Sequence, residues 1–166
     1  MEVQIDNARP LLDGFEAGRL DAAIIRSDDD RRPGEILGPE LFGWFAAAGF
    51  THRAGEPLQL AASLPCCAVR DVAARLLDRA GIAWTEVFSG GTAAIAAALS
   101  AGLAVAAFPR RLAPADVVDV GPALGLPALP ALAIVLHAAP SDPKTRATLR
   151  AIAAAFRGAS PRIPKG

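Results

Sequence analysis

No apolar run in this 166-residue chain stays unbroken for the roughly 18 residues that a bilayer-crossing helix needs, so no membrane span is expected. Cysteine is nearly absent. The two present, Cys66 and Cys67, are adjacent. That spacing offers neither CxxC nor CxxC…CxxC, which removes support for structural zinc and thioredoxin-type chemistry. A disulfide between sequence neighbours is strained, so a pair of small thiols is the plain reading and a redox switch the rarer one. Neither sign of charge is in excess, since Lys+Arg 17 balances Asp+Glu 17. No stretch has the concentrated basic face of a nucleic-acid binder. The doublets Arg31-Arg32 and Arg110-Arg111 read as solvated loops. There is no G-x-S-x-G, H-E-x-x-H or P-loop. Asp28-Asp29-Asp30 lacks the EF-hand pattern. Ser89-Gly90-Gly91 lacks the glycine that precedes the serine in a nucleophile elbow. His52 falls in a polar connector and His137 in an apolar strand, far apart in sequence. No acid, base and nucleophile converge, so no catalytic residue, metal or cofactor is expected and the chain is not read as an enzyme. MEVQIDNARP has neither the charged-apolar-small order of a signal peptide nor the character of a transit peptide. Cytoplasmic location is the default expectation.

What is present is a core. A hydrophobic content of 52% and a mean hydropathy of +0.33 indicate an ordered globular chain. The clearest unit is 82–109. Ile82–Phe88 suits a strand. Ser89-Gly90-Gly91-Thr92 reads as a tight turn whose hydroxyls can cap a helix. Thr92–Ser100 is alanine-rich and helical, with Ile95 and Leu99 at i, i+4. Gly102 stands where a left-handed helix stop is expected. Leu103–Phe108 is a continuous apolar run, like a parallel strand buried on both faces, and Pro109 ends it. Such a strand-helix-strand unit gathers a strand's carboxyl end and a helix's amino end at one turn. Open α/β sheets bind ligands there, and anions are favoured.

The rest of the chain supplies more such pieces. Glu2–Ile5 alternates like a short strand. Ala8–Ala17 follows as a helix, with Asn7 at its N-cap and Gly18 as its stop. Leu20–Ile25 is a buried strand, and Ser27–Gly34 a polar loop. Ile36–Ala48 reads as one long, bent strand interrupted by Gly43. Leu58–Ala62 is a strand. Ala68–Ala80 is an amphipathic helix with Val69, Val72, Ala73, Leu76, Leu77 and Ala80 on one face, and Gly81 ends it. Val117–Val120 and Ala131–Ala138 are strands. Asp142-Pro143 starts a last helix to about Arg157, with Leu149, Ile152, Ala153 and Phe156 inward. Ser160–Gly166 is a frayed tail. The order suggests an α/β protein of two Rossmann-like lobes joined by two crossing strands: 1–45 with 132–166, and 46–131.

In this order the motifs resemble the effector-binding (regulatory) domain of LysR-type transcription regulators, which has the type 2 periplasmic-binding-protein fold. The stretch 11–24, LLDGFEAGRLDAAI, resembles the family's "LL…L..G.LDLAI". Pro57–Ala61 with Leu64–Arg70 resembles "PLPL…P..C..R". Ser89–Thr92, Ala101–Val105 and Phe108–Arg110 together resemble "TS.S…..V.AGLGV..LPR". Leu126–Pro130 is similar to the loop before the return strand. The resemblance covers nearly the whole chain. It implies a sensor of a small, anionic effector held between two lobes, working as a homodimer or with a partner regulator chain, with no direct nucleic-acid contact. Met1 falls where the family's second strand begins, so the resemblance also implies a first lobe lacking its first strand and helix, and no helix-turn-helix. A truncated homologue that pairs with a regulator and has no ligand of its own is the alternative.

The residues expected around the ligand are then Ser89, Gly90, Gly91 and Thr92 at one turn, and Pro65, Cys66, Cys67 and Arg70 at another. Arg26 at a strand end of the first lobe, and Phe108 and Pro109, complete the set. Each has a plainer reading beside it. The SGGT turn could be an ordinary helix cap, Arg70 a surface cation one turn into a helix, and Arg26 a strand end before a solvated loop.

Overall fold

The computed structural model describes residues 8–27, 34–53, 55–64, 67–139 and 143–159. The expected strand Glu2–Ile5, the caps Asn7 and Asp142, most of the loop 27–34, and the tail 160–166 lie outside them. So do Pro65 and Cys66. The elements run α1 (Ala8–Glu16), β1 (Ala22–Ser27), β2 (Glu35–Glu40), β3 (Phe42–Ala47), β4 (Leu58–Ser63), α2 (Ala68–Arg79), β5 (Trp84–Gly90), α3 (Thr92–Ser100), β6 (Ala106–Pro109), β7 (Val117–Asp119), β8 (Leu132–Ala138) and α4 (Pro143–Ala159). A single 3-10 turn, Arg110–Leu112, follows β6. The chain divides into two compact units. One takes residues up to Glu40 and from Ala131 onward, the other Leu41–Pro130.

In the first unit β8 is the middle strand of three, antiparallel to β1 and to β2. Its alternating residues feed both faces. Ile134 and Leu136 pack with Leu37, Ala22 and Ile24 beneath Leu149, Ala153 and Phe156 of α4. These include three of the four residues expected to face inward from that helix. On the other face Phe15 of α1 meets the buried His137 ring, with centroids 6.1 Å apart. Gly18 takes φ 68 after α1, the left-handed stop that a side chain would resist.

The stretch 36–48 is two strands rather than one. Gly38 (φ 154) sits at a register shift in β2, and Pro39 follows with no N–H to donate. The ladder to β8 therefore ends at Glu40, and the chain enters the second unit at Leu41. The expected breaker, Gly43, instead lies inside β3, opposite Phe108. A Cβ there would come within 2.9 Å of both Asp119 Oδ2 and Phe45 Cε2. Glycine serves close packing at that position and does not interrupt the strand.

The second unit is a sheet covered on both faces. β4 and β5 are parallel, and a parallel bridge Leu60↔Val105 ties β4 to the chain leading into β6. β3 then pairs antiparallel with both β6 and β7. The apolar run 103–108 is thus parallel to one neighbour and antiparallel to the other. Period-two alternation sorts the side chains. Leu58, Leu60, Val105, Trp44 and Ala46 meet Ala73 and Leu77 of α2. Ala61, Ala106, Phe108 and Phe45 meet Ile95, Ala98 and Leu99 of α3. In β5 the register passes from Leu60↔Glu86 to Ala61↔Phe88, leaving Val87 as an unpaired bulge residue, 47% exposed. The bulge flips the parity of the strand. Glu86 lies on the α2 side, and Phe88 joins the α3-side core.

Candidate functional site

Parallel strands end at one edge of the second unit. Ser63 is level with Gly90. Extending the register from Leu60↔Val105 puts Ser63 level with Phe108 as well. Both helices that cover the unit start at this edge. The N-cap of α2 is Cys67, and that of α3 is Gly91. This is where an open α/β sheet offers helix amino ends to a ligand.

The SGGT segment is divided differently from expectation. Ser89 and Gly90 are the last residues of β5, paired with Ala62 and Ser63, and Gly91 alone makes the turn. With φ −72 and ψ 171, Gly91 has the extended geometry of an N-cap but no side chain, and neither hydroxyl caps the helix. The first intrahelical bond is Ile95 N to Gly91 O. The amides of Thr92, Ala93 and Ala94 have no intrahelical acceptor, and all three residues are exposed. The pleat directs Ser89 to the face opposite Phe88. Gly90 shares the face of Phe88, where a Cβ would lie 2.9 Å from Ala94 Cβ. Glycine at 90 is what lets α3 begin this close to the strand. The sequence signal for the turn was right in place; the bulge at Val87 made it one residue long.

At the neighbouring helix start, Cys67 is half-buried, makes no side-chain cap bond and carries a free thiol. Arg70 does not present a free cation. Its Nη2 donates to Glu86 Oε2 on β5 at 2.7 Å, with side chains 31% and 27% exposed. The pair stands beside a shallow depression between α2 and the sheet, floored by Leu60 and Ala73 and flanked by Trp44 and Trp84. The Trp84 indole donates to Asp78 Oδ1 at 2.8 Å and the Trp44 indole to Pro127 O at 2.8 Å. Sequence reading passed over Glu86 and both tryptophans. Glu86 is far from Arg70 in sequence, and only the register of the parallel pair brings them together.

Phe108 is 2% exposed and belongs to the α3-side core; Pro109 is buried opposite Phe42. Both shape the edge from beneath. Arg110 fixes the end of β6. Its backbone N–H donates to Leu41 O at 2.9 Å, its Nη2 donates to Asp119 Oδ2 at 2.5 Å, and its guanidinium lies over the Phe45 ring at 5.9 Å. Asp119 Oδ1 in turn accepts from Gly121 N at 3.0 Å. Arg26 belongs to the other unit, half-buried on β1 opposite Ile134. Among the described residues no group of three or more His, Cys, Asp or Glu could hold a metal ion. No helix among them is long and apolar enough to cross a membrane.

A family model described as the LysR substrate binding domain matches residues 1–157. No curated protein is significantly similar in sequence. Among solved structures, the bromide-bound regulatory domain of HypT from Salmonella typhimurium superposes with a TM-score of 0.72 at 14% identity, over 95% of this chain and 82% of that one. The CcmR regulatory domain of Synechocystis PCC6803, in complex with 2-PG, gives 0.69 at 11%, over 94% and 83%. The reduced OxyR regulatory domain of Pseudomonas aeruginosa gives 0.62 at 20%, over 92% and 80%. At these identities the likeness is one of fold.

Proposed function

The chain belongs to the LysR substrate-binding-domain family, and on that premise we propose that it senses a small anionic effector at the strand-end edge of its second unit. The observation that carries the reading is the start of α3. Three first-turn amides that lack an intrahelical acceptor, all on exposed residues, follow an N-cap with no side chain, so a ligand carboxylate can take the place that a capping side chain takes elsewhere. The Thr92 hydroxyl lies beside those amides, and Ser89 supplies a hydroxyl on the other face of the same strand end. Cys67 and Arg70 belong to the second helix start of the site, and Pro65 and Cys66, which precede them in sequence, are proposed to join it. Phe108, Pro109 and Gly90 set its shape. Similar folds support an anion: one is described with bromide ion bound, and another, the QuiR effector-binding domain, with shikimate. The effector acts by binding one arrangement of the domain better than another, and it shifts the equilibrium by that difference alone. The domain is proposed to do so as a homodimer or beside a partner regulator chain.

Thermal melting against a panel of small carboxylates that includes shikimate, with bromide as the simple anion, tests this. A ligand at 100 times its dissociation constant adds about 2.7 kcal/mol, or roughly 5–10 °C in a domain of this size. Ser89→Ala and Thr92→Ala should lower the affinity several-fold while leaving the unliganded melting temperature in place. No shift from any panel member would sink the sensing reading and favour a ligand-free interaction partner.

A further inference from the structure

The depression on the α2 side of the second unit gathers chemistry that the start of α3 does not use. Arg70 of α2 and Glu86 of β5 line it, Trp44 and Trp84 flank it, and Leu60 and Ala73 form its floor. Strand register assembles these side chains. Trp84 and Glu86 are two residues apart on β5 and share its α2 face. They stand level with Leu58 and Leu60 of β4, and Trp44 of β3 lies opposite Ala107 of β6. The hollow exists because the positions between are small. Ala62, Ala74 and Ala107 line it and are half-buried. The two indole N–H groups are bound to Asp78 Oδ1 and Pro127 O, so the tryptophans offer ring surface rather than donors.

We propose that this depression binds a zwitterion, an α-amino acid with an apolar side chain. An ion pair closed at 2.7 Å is the complement of a molecule that carries an ammonium and a carboxylate on one carbon. The ligand's carboxylate takes Arg70, whose planar fork suits it, and the ligand's ammonium takes Glu86. Indole rings on either side suit both a cation and an apolar side chain. One internal pair is thus exchanged for two pairs to the ligand. A simple acid or a simple amine satisfies one partner and strands the other beside the apolar floor, so the pair selects against both. The Arg70 and Glu86 side chains are 31% and 27% exposed. That shelters them enough for a stranded charge to cost and leaves them open enough for a ligand to reach. The depression is shallow, so it takes the head group and the first side-chain carbons and leaves the rest of the ligand in solvent. The site shares Arg70 with the carboxylate site proposed above and uses nothing of α3, so the two readings fail separately.

Trp44 and Trp84 are the only tryptophans of the chain, and it has no tyrosine. Intrinsic fluorescence therefore reads this depression directly. The titrants are L-leucine, 4-methylpentanoate, which is leucine without its amino group, and 3-methylbutylamine, which is leucine without its carboxylate. The expected result is an emission change that saturates with leucine, at an affinity about tenfold above that of either analogue. Glu86→Gln should weaken leucine about tenfold and leave 4-methylpentanoate bound as tightly or more so. Ala74→Leu should fill the hollow and abolish the response while the melting temperature holds. Gly91→Asp, whose carboxylate would cap α3, should leave leucine binding unchanged. No emission change up to the solubility limit of leucine would overturn the proposal, as would equal affinity for leucine and 4-methylpentanoate. Leucine binding that survives Glu86→Gln would overturn it too. Leucine binding lost in Gly91→Asp would overturn it by assigning the amino acid to the start of α3.

Discussion

Gly90→Ala adds a single methyl group at the junction of β5 and α3. The new Cβ would lie 2.9 Å from Ala94 Cβ and 3.2 Å from Phe88 Cε1. Carbon atoms rest at about 3.5–4.0 Å, so the first turn of α3 must retreat by roughly half an ångström or more, or Phe88 must turn in its core. Overpacking of this kind costs about 1–3 kcal/mol. Against it stands about 0.4–1 kcal/mol from the stiffer unfolded chain, available because Gly90 is not among the positive-φ glycines. The net is a loss of about 0.5–2 kcal/mol, a fall of roughly 2–6 °C in melting temperature at this chain length. Gly91→Ala is the control. Nothing lies within 4 Å of its Cβ. The N-cap preference for glycine over alanine and the unfolded-state gain oppose each other, leaving about zero. Calorimetry reads the stability, and carboxylate titration reads the displaced amides as weaker binding in Gly90→Ala. A Gly90→Ala chain that melts no lower than Gly91→Ala would refute the argument that α3 begins where it does because residue 90 has no side chain.

Further expectations concern the charged pairs. Glu86→Ala should change stability by less than about 1 kcal/mol, since its partner Arg70 is partly solvated. It should tighten carboxylate binding, measured by titration calorimetry, because the guanidinium is released from its internal anion. Gly43→Ala should cost about 1–3 kcal/mol in urea unfolding, as its Cβ would press on Asp119, Phe45 and Arg110 together.

The sequence was most readable where local chemistry alone decides. Thr92–Ser100, the stops at Gly81 and Gly102, and the inward face of α4 follow from propensity, left-handed glycines and 3.6-residue periodicity. It was least readable where the outcome depends on a distant strand. One bulge at Val87 decides that Ser89 and Gly90 extend β5 instead of forming a turn, and that Phe88 and Glu86 lie on opposite faces. No local pattern announces that bulge. The break at Leu41 was misplaced at Gly43 because glycine in a strand looks like an interruption, whereas here it admits the Arg110–Asp119 pair. The same limit applies to the site. The position of the anion-friendly helix start was legible from Gly-Gly-Thr before an alanine-rich run. The internal partner of Arg70 was not, since it depends on β4 and β5 lying side by side.

The central claim is that the uncapped first turn of α3 holds the effector's carboxylate. Gly91→Asp tests it most directly. At φ −72 and ψ 171 an aspartate can cap its own helix, which should raise stability by about 0.5–1 kcal/mol. The same carboxylate would occupy the amides meant for the ligand. Affinity for the tightest-binding carboxylate of the panel should then fall tenfold or more while the melting temperature rises. A Gly91→Asp chain that is stabilised yet binds that carboxylate as well as the unchanged chain would contradict the account.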